Sequence, residues 1–180
     1  PNPWKHLSAS KAMKNAQVMV KDYVQAGFTK IHLDASMACK GENTPSFKEV
    51  ASRTAQLCMV AEQYAHDLDS ICYVIGTEVP IPGGETETID TLQVTSPDRL
   101  DRTIETHIQA FKEKNLQAAL SRIVSVVVQP GVDFSHTAVT QYSKSSAKKL
   151  VDQLSKYKDI AFEAHSTDYQ QTTGLANLVA

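Results

Sequence analysis

The sequence predicts an α/β protein, about half of a TIM (β/α)₈ barrel, with four consecutive strands separated by helices. Short apolar runs alternate with helical patterns about every 40 to 50 residues, the spacing of parallel βαβ units. One run, residues 122–129, is apolar on both faces, as in a strand covered by helices on both sides. Each predicted strand also ends in polar residues, as barrel strands do at their C-terminal face, whereas an open doubly wound sheet gathers them at one switch point.

The helices are predicted from apolar residues at helical spacing. Gly27 occupies the C-cap position of the first helix, and Ser96 with Pro97 opens the third as N-cap and first-turn residue. The predicted helices are 10–27, 47–66, 96–115, 143–157 and one that begins near residue 168. The predicted strands are 30–36, 71–79, 122–129 and 159–165.

Length and composition predict one domain with a true core, a single partial barrel over residues 1–180. We expect it to be a segment of a longer chain, because it opens without an initiator Met. The net charge of -2 is spread without a basic tract or acidic tail, so neither nucleic acid nor a membrane is an expected partner. The cysteines Cys39, Cys58 and Cys72 are odd in number and lack C-x-x-C spacing, which predicts reduced thiols in the cytoplasm.

Four strand-end clusters are the candidate site, because they converge on one pocket in a barrel, where carboxylates and an imidazole bind a divalent metal or act as acid and base. Glu78 follows an apolar run, so a site role is favoured over a solvated charge, and the same holds for His165. Asp34 either takes part in the site or caps the next loop. The clusters are residues 32–36, 76–80, 129–133 and 163–168.

Other polar residues leave alternatives open. His32 points either into the barrel or toward a helix, and His6, His66 and His107 are predicted at the surface. Gly83 and Gly84 either offer backbone amides to a phosphate or form a plain loop. Neither G-x-x-x-x-G-K-[ST] nor G-x-G-x-x-G occurs, so a nucleotide-binding kinase or dehydrogenase is unsupported.

Four strings together resemble the Z subunit family of bacterial D-tagatose-1,6-bisphosphate aldolase: residues 30–36, 73–85, 127–133 and 163–170. The resemblance covers essentially the whole chain and implies barrel strands four to seven of a protein about twice as long. It implies a non-catalytic subunit required for full activity and stability of a catalytic class II Y subunit, in galactitol, tagatose or N-acetylgalactosamine catabolism. Some members carry the label tagatose-6-phosphate kinase, which the absence of a phosphate-cradling motif argues against.

The resemblance to catalytic class II relatives also implies site residues. Asp34 and Glu78 are the catalytic candidates, and His165 with Glu78 the metal ligands, which makes zinc the expected ion. The ligand-binding candidates are Ser36, Gly83, Gly84, Asp133 and Asp168.

Two departures weaken that site. Asp168 lies where those relatives have a glycine-rich phosphate turn, and it would repel a phosphate. The segment ending in Asp133 replaces an expected histidine. Two other functions therefore stay open: an independent metal-dependent lyase or isomerase on a phosphorylated ketose, and a phosphosugar-binding barrel without chemistry. Whether the chain is itself an enzyme, and whether it forms a homo-oligomer, the sequence leaves undecided.

Overall fold

The computed structural model describes residues 4–77 and 92–179 of the chain. Helices and strands alternate along it as the periodicity predicts. The helices are α1 Ala9–Gln25, α2 Phe47–Tyr64, α3 Pro97–Glu113, α4 Gln117–Leu120, α5 Lys144–Leu154 and α6 Thr172–Val179. The strands are β1 Lys30–His32, β2 Cys72–Ile75, β3 Ile123–Val128, β4 Asp133–Phe134, β5 Val139–Thr140 and β6 Ala161–Ala164.

Four strands form one parallel sheet in the order β1-β2-β3-β6, and β4 pairs with β5 in a separate antiparallel hairpin. Ile31 lies opposite Tyr73, which in turn lies opposite Ile123. Five of the six β3 side chains are buried, as the two-sided apolar run predicts. The predicted parallel α/β sheet is thus confirmed, while closure into a barrel and the assignment to strands four to seven stay predictions.

The chain divides into two compact units. Unit 1 comprises Pro1–Thr77 and Arg102–Val126, and its core includes a buried stripe of small residues on α1 that begins at Ala12. Unit 2 comprises Glu78–Asp101 and Val127–Ala180, with Val128, Val132 and Leu150 in its core. The single-domain prediction stays a prediction. Among the described residues, no helix is long and apolar enough to cross a membrane.

The structure differs from the sequence-based prediction at several points. The hairpin β4–β5 and the single turn α4 were not predicted, because segments of two or four residues carry no readable periodicity. The first strand ends at His32 and not at residue 36, since the chain turns at Asp34. The prediction that His107 lies at the surface is wrong: its side chain is fully buried, because it continues the α3 stripe of Leu100 and Ile104 at helical spacing.

Candidate functional site

The end of β1, in unit 1, is fixed by short-range hydrogen bonds. Leu33 donates its N–H to the Val74 carbonyl at 2.9 Å, and its own carbonyl accepts from the buried Thr54 hydroxyl at 3.2 Å. Asp34 then turns the chain: its Oδ1 accepts from the backbone N–H of Ser36 at 2.9 Å and from the Ser36 hydroxyl at 2.7 Å. The candidates Asp34 and Ser36 therefore contact each other, in the geometry of a loop-capping Asx turn.

The loop that follows β1 is tied to α2. The Glu42 carboxylate accepts from the Cys39 N–H at 3.0 Å and pairs with the Arg53 guanidinium. These contacts, first the Cys39 hydrogen bond, hold the pKa of Glu42 below its ordinary value. Burial raises the pKa of the Cys39 thiol, so it is kept protonated. The loop is thus held by a hydrogen bond within it and by the ion pair of Glu42 with Arg53 of α2.

The end of β2 is described only as far as Thr77, whose hydroxyl lies 2.8 Å from that of Thr103. Glu78, Gly83 and Gly84 lie outside the described residues, so their candidate roles stay predictions.

In unit 2, the end of β3 leads into a turn whose residues hydrogen-bond to one another. Gln129 exchanges backbone and side-chain hydrogen bonds with Thr95, and its side-chain carbonyl accepts from the N–H groups of Gly131 and Val132 at 2.8 and 2.9 Å. Gly131 has a φ of 91°, a backbone conformation that would be strained in a residue with a side chain. Asp133 is 2% exposed, and its Oδ1 accepts from the Phe134 N–H at 2.8 Å. The carboxylate predicted to bind ligand thus caps the start of the hairpin.

The end of β6, also in unit 2, brings together an acid and an imidazole. Glu163 and His165 are two residues apart on an extended segment, so their side chains point to the same face. His165 Nε2 lies 3.1 Å from Glu163 Oε1, and 35% and 21% of the two side chains are exposed. Ser166 follows with a φ of 53°, and Asp168 is exposed.

The Glu163–His165 pair fits one edge of a metal site. Ligand atoms bound to tetrahedral zinc at about 2.0–2.1 Å lie roughly 3.3 Å from each other. The 3.1 Å separation of Nε2 and Oε1 is close to that value. Sequence reasoning selected His165 but did not select Glu163 as a ligand. The two-residue strand spacing was the signal that could have found it.

The fold and these strand-end groups define a class: an α/β protein with a parallel sheet whose polar residues cluster where its strands end. Within that class, residues 1–180 match the family model described as D-tagatose-1,6-bisphosphate aldolase subunit GatZ/KbaZ-like. The chain belongs to this family, and the resemblance seen in its four strings is confirmed.

A solved structure supports the same assignment. The chain is similar to a probable tagatose 6 phosphate kinase from Sinorhizobium meliloti 1021, with 43% sequence identity and a TM-score of 0.86. The match covers 99% of this chain and 42% of that protein. The chain therefore spans less than half the length of the protein it matches.

Proposed function

We propose that this chain acts within a non-catalytic subunit of a class II D-tagatose-1,6-bisphosphate aldolase, and that it raises the activity and lifetime of the catalytic Y subunit. Family membership supports an aldolase subunit. The observation that carries the non-catalytic role is that three strand-end groups are engaged with their own loops: Asp34 with Ser36, Gln129 with Gly131 and Val132, and Asp133 with Phe134. A carboxylate that caps its own turn contributes to stability and is poorly placed to move a substrate proton.

The proposal extends to partners and compartment. The partner is the catalytic Y subunit, the substrate of the complex is a phosphorylated ketose, and a homo-oligomer is a further assembly to be tested. The cysteines Cys39, Cys58 and Cys72 are free thiols, which supports a reducing cytoplasm. The pathway served is galactitol, tagatose or N-acetylgalactosamine catabolism, and the proposal covers each of these alternatives.

The test follows triose phosphate release from D-tagatose 1,6-bisphosphate with the full-length protein alone, with a class II Y subunit alone, and with both together. We expect activity and thermal lifetime of the Y subunit to rise only in the mixture. The double variant Glu78→Ala/His165→Ala is expected to support the Y subunit as the unsubstituted protein does. Metal-dependent turnover by the protein alone would overturn the proposal.

A second function, an independent metal-dependent lyase or isomerase, is favoured by the Glu163–His165 pair. In this function a zinc ion would be held by Glu163 and His165, with Glu78 as a further ligand, and it would polarise the carbonyl of the sugar. A sugar-phosphate-binding barrel without chemistry is the remaining alternative, and it predicts thermal stabilisation by the sugar without product.

Zinc binding is measured by calorimetry on the metal-free protein, independently of activity. If the pair binds zinc, His165→Ala is expected to weaken binding by about tenfold or more, as loss of a ligand or its orienting partner does. His136→Ala removes an exposed histidine from the β4–β5 loop and is the matched control, expected to leave zinc affinity unchanged. Equal affinity in both variants would exclude His165 as a ligand.

A further inference from the structure

A concavity of about 560 Å³ lies in unit 2, beside the β4–β5 hairpin. Its walls are Phe134, the hairpin residues up to Val139, and the ring of Tyr169 from the loop after β6. Its volume lies within the range of roughly 300–1,000 Å³ typical of small-molecule sites. Among the residues that the structure describes, none assigned above to the candidate site lines it.

Tyr169 is held in an unusual conformation. Its φ is 63°, in the left-handed region that a bulky residue rarely adopts, and 75% of the residue is exposed. Its ring meets Phe134 edge to face, with centroids 5.2 Å apart and planes at 78°. Such a backbone conformation persists only where the surrounding structure imposes it, and strained residues of this kind cluster at functional sites.

Side-chain amides from both loops hold Tyr169 in place. Gln170 is 8% exposed; its Oε1 accepts from the Tyr142 N–H at 2.9 Å and its Nε2 donates to the Thr140 carbonyl at 2.7 Å. Gln141 accepts from the Gln171 N–H at 3.0 Å and donates to the Tyr169 carbonyl at 3.4 Å. These hydrogen bonds join the hairpin to the β6 loop and fix the backbone at Tyr169, whose ring contacts Phe134 at the concavity in advance of any ligand.

The chemistry of the walls selects a ligand class. Two aromatic rings and Val139 offer apolar faces, and Ser135 and Thr137 offer hydroxyls. Among the described residues, none that lines the concavity is Lys, Arg, Asp or Glu, and His136 contributes an exposed imidazole. Asp168, next to Tyr169, is exposed and would repel a phosphate. An uncharged ring with apolar C–H faces and a rim of hydroxyls matches these walls, which is the chemistry of a cyclic sugar without phosphate.

We propose that the concavity between Phe134 and Tyr169 binds an uncharged cyclic sugar, with one face of the sugar on the Tyr169 ring. The site is distinct from the strand-end residues and does not depend on the supporting-subunit role. The family acts on a phosphorylated hexose. The unphosphorylated sugar is therefore suited to be an effector, whose binding would depend on its own concentration.

Saturation-transfer difference NMR on the full-length protein tests the site, with D-tagatose as the probe and D-tagatose 6-phosphate and inorganic phosphate as charged comparisons. We expect signal transfer to D-tagatose, which Tyr169→Phe retains. Tyr169→Gly is expected to lose binding by roughly tenfold or more, since it removes the ring. It accepts the positive φ without a side-chain clash, so the fold is kept. If that variant does not fold, Tyr169→Asn removes the ring at a residue type that tolerates the same φ.

Tyr23→Ala is the matched control. Tyr23 is also an exposed aromatic, 48% exposed and 5.2 Å from the Phe28 ring, but it lies on α1 in unit 1. Its loss is expected to leave sugar binding unchanged. The proposal is overturned if D-tagatose receives no saturation, if Tyr169→Gly binds as the unsubstituted protein does, or if D-tagatose 6-phosphate binds more tightly through Tyr169. None of these results depends on the aldolase assay, so the two proposals fail separately.

Discussion

The two ends of the strands hold polar residues of different kinds. At the start of β2 and β3, in unit 1, Tyr73 and Arg122 meet Glu62 of α2 in a nearly closed cluster. Arg122 pairs with Glu62 at 2.7 Å and donates to the Leu68 carbonyl at 2.9 Å, while the Tyr73 hydroxyl donates to the other Glu62 oxygen. At the end of β6, in unit 2, Glu163 and His165 lie partly open to solvent. The first cluster is enclosed and the second is partly exposed.

Burial accounts for the difference. In the Glu62–Tyr73–Arg122 cluster the paired side chains are 16% and 17% exposed, and Tyr73 is fully buried. Burial is the main cause that raises the pKa of Tyr73, and it raises the pKa of the adjacent Cys58 thiol to about 12. Both groups therefore stay protonated at neutral pH. Side chains so enclosed cannot meet a substrate, whereas the Glu163–His165 pair can.

The largest effect is expected from breaking the enclosed cluster. Arg122→Ala leaves Glu62 with an uncompensated charge, and we expect it to lower the free energy of unfolding by about 3 kcal/mol or more, measured by urea denaturation. The control is Lys148→Ala, which breaks the Lys148–Asp152 pair on α5, where the side chains are 71% and 60% exposed. That change is expected to cost less than about 0.5 kcal/mol. Equal costs would show that enclosure adds nothing to the cluster.

His107 extends the comparison to a buried group that lacks an ionic partner. Its Nδ1 lies 2.7 Å from the Thr103 carbonyl, while its Nε2 is buried and makes no hydrogen bond to any residue described. Burial lowers the pKa of His107 from 6.5 to about 4. Between these values the unfolded chain binds the proton and the folded chain does not. The contribution of neutral His107 is therefore complete above pH 6.5 and is lost as the pH falls toward 4.

We expect the free energy of unfolding to fall by up to about 1.4 kcal/mol per pH unit in that window because of His107. His107→Leu places an apolar side chain of similar size at this position and removes the titration, together with the hydrogen bond to the Thr103 carbonyl. Urea denaturation from pH 8 to pH 4.5 is expected to show a shallower acid loss in this variant, with stability at pH 8 as the reference. Parallel curves for the two proteins would refute the assignment.

Much of the fold could be predicted from the sequence, because periodicity depends on burial. The β3 run indicates a buried strand, and the alternation of helices and strands indicates a parallel sheet; both are as predicted. The α3 stripe of Leu100, Ile104 and His107 was not recognised in the sequence, and His107 was therefore placed at the surface. The sheet order follows from the alternation of strands and crossover helices, but the β4–β5 hairpin is too short to give a pattern.

The candidate site was less predictable, since residue type does not say what a polar group contacts. Asp34, Asp133 and His165 all follow strands, yet the two carboxylates cap their own turns, Asp34 on the candidate Ser36, whereas His165 meets Glu163, which was not selected as a ligand. The Tyr169 concavity carried no sequence signal, because it depends on a positive φ and on hydrogen bonds between distant loops. Sequence spacing predicts where polar residues lie. The loop conformation decides which of their side chains remain accessible to a ligand.

The smallest expected change in the free energy of unfolding comes from the N-cap residues of α2 and α1. Ser46 caps α2: its hydroxyl accepts from the Glu49 N–H at 3.3 Å, and Glu49 reaches back to the Ser46 N–H at 2.8 Å, which completes a capping box. Ser8 occupies the same position before α1 but makes no side-chain cap hydrogen bond. We expect Ser46→Ala to lower the free energy of unfolding by about 1 kcal/mol and Ser8→Ala to lower it much less. Because the strand-end loops lie outside the enclosed cluster, Ser46→Ala should also cost well under half of what Arg122→Ala costs. A larger loss from Ser46→Ala would mean that the loop after β1 supports the core of unit 1 and would remove the distinction between the two strand ends.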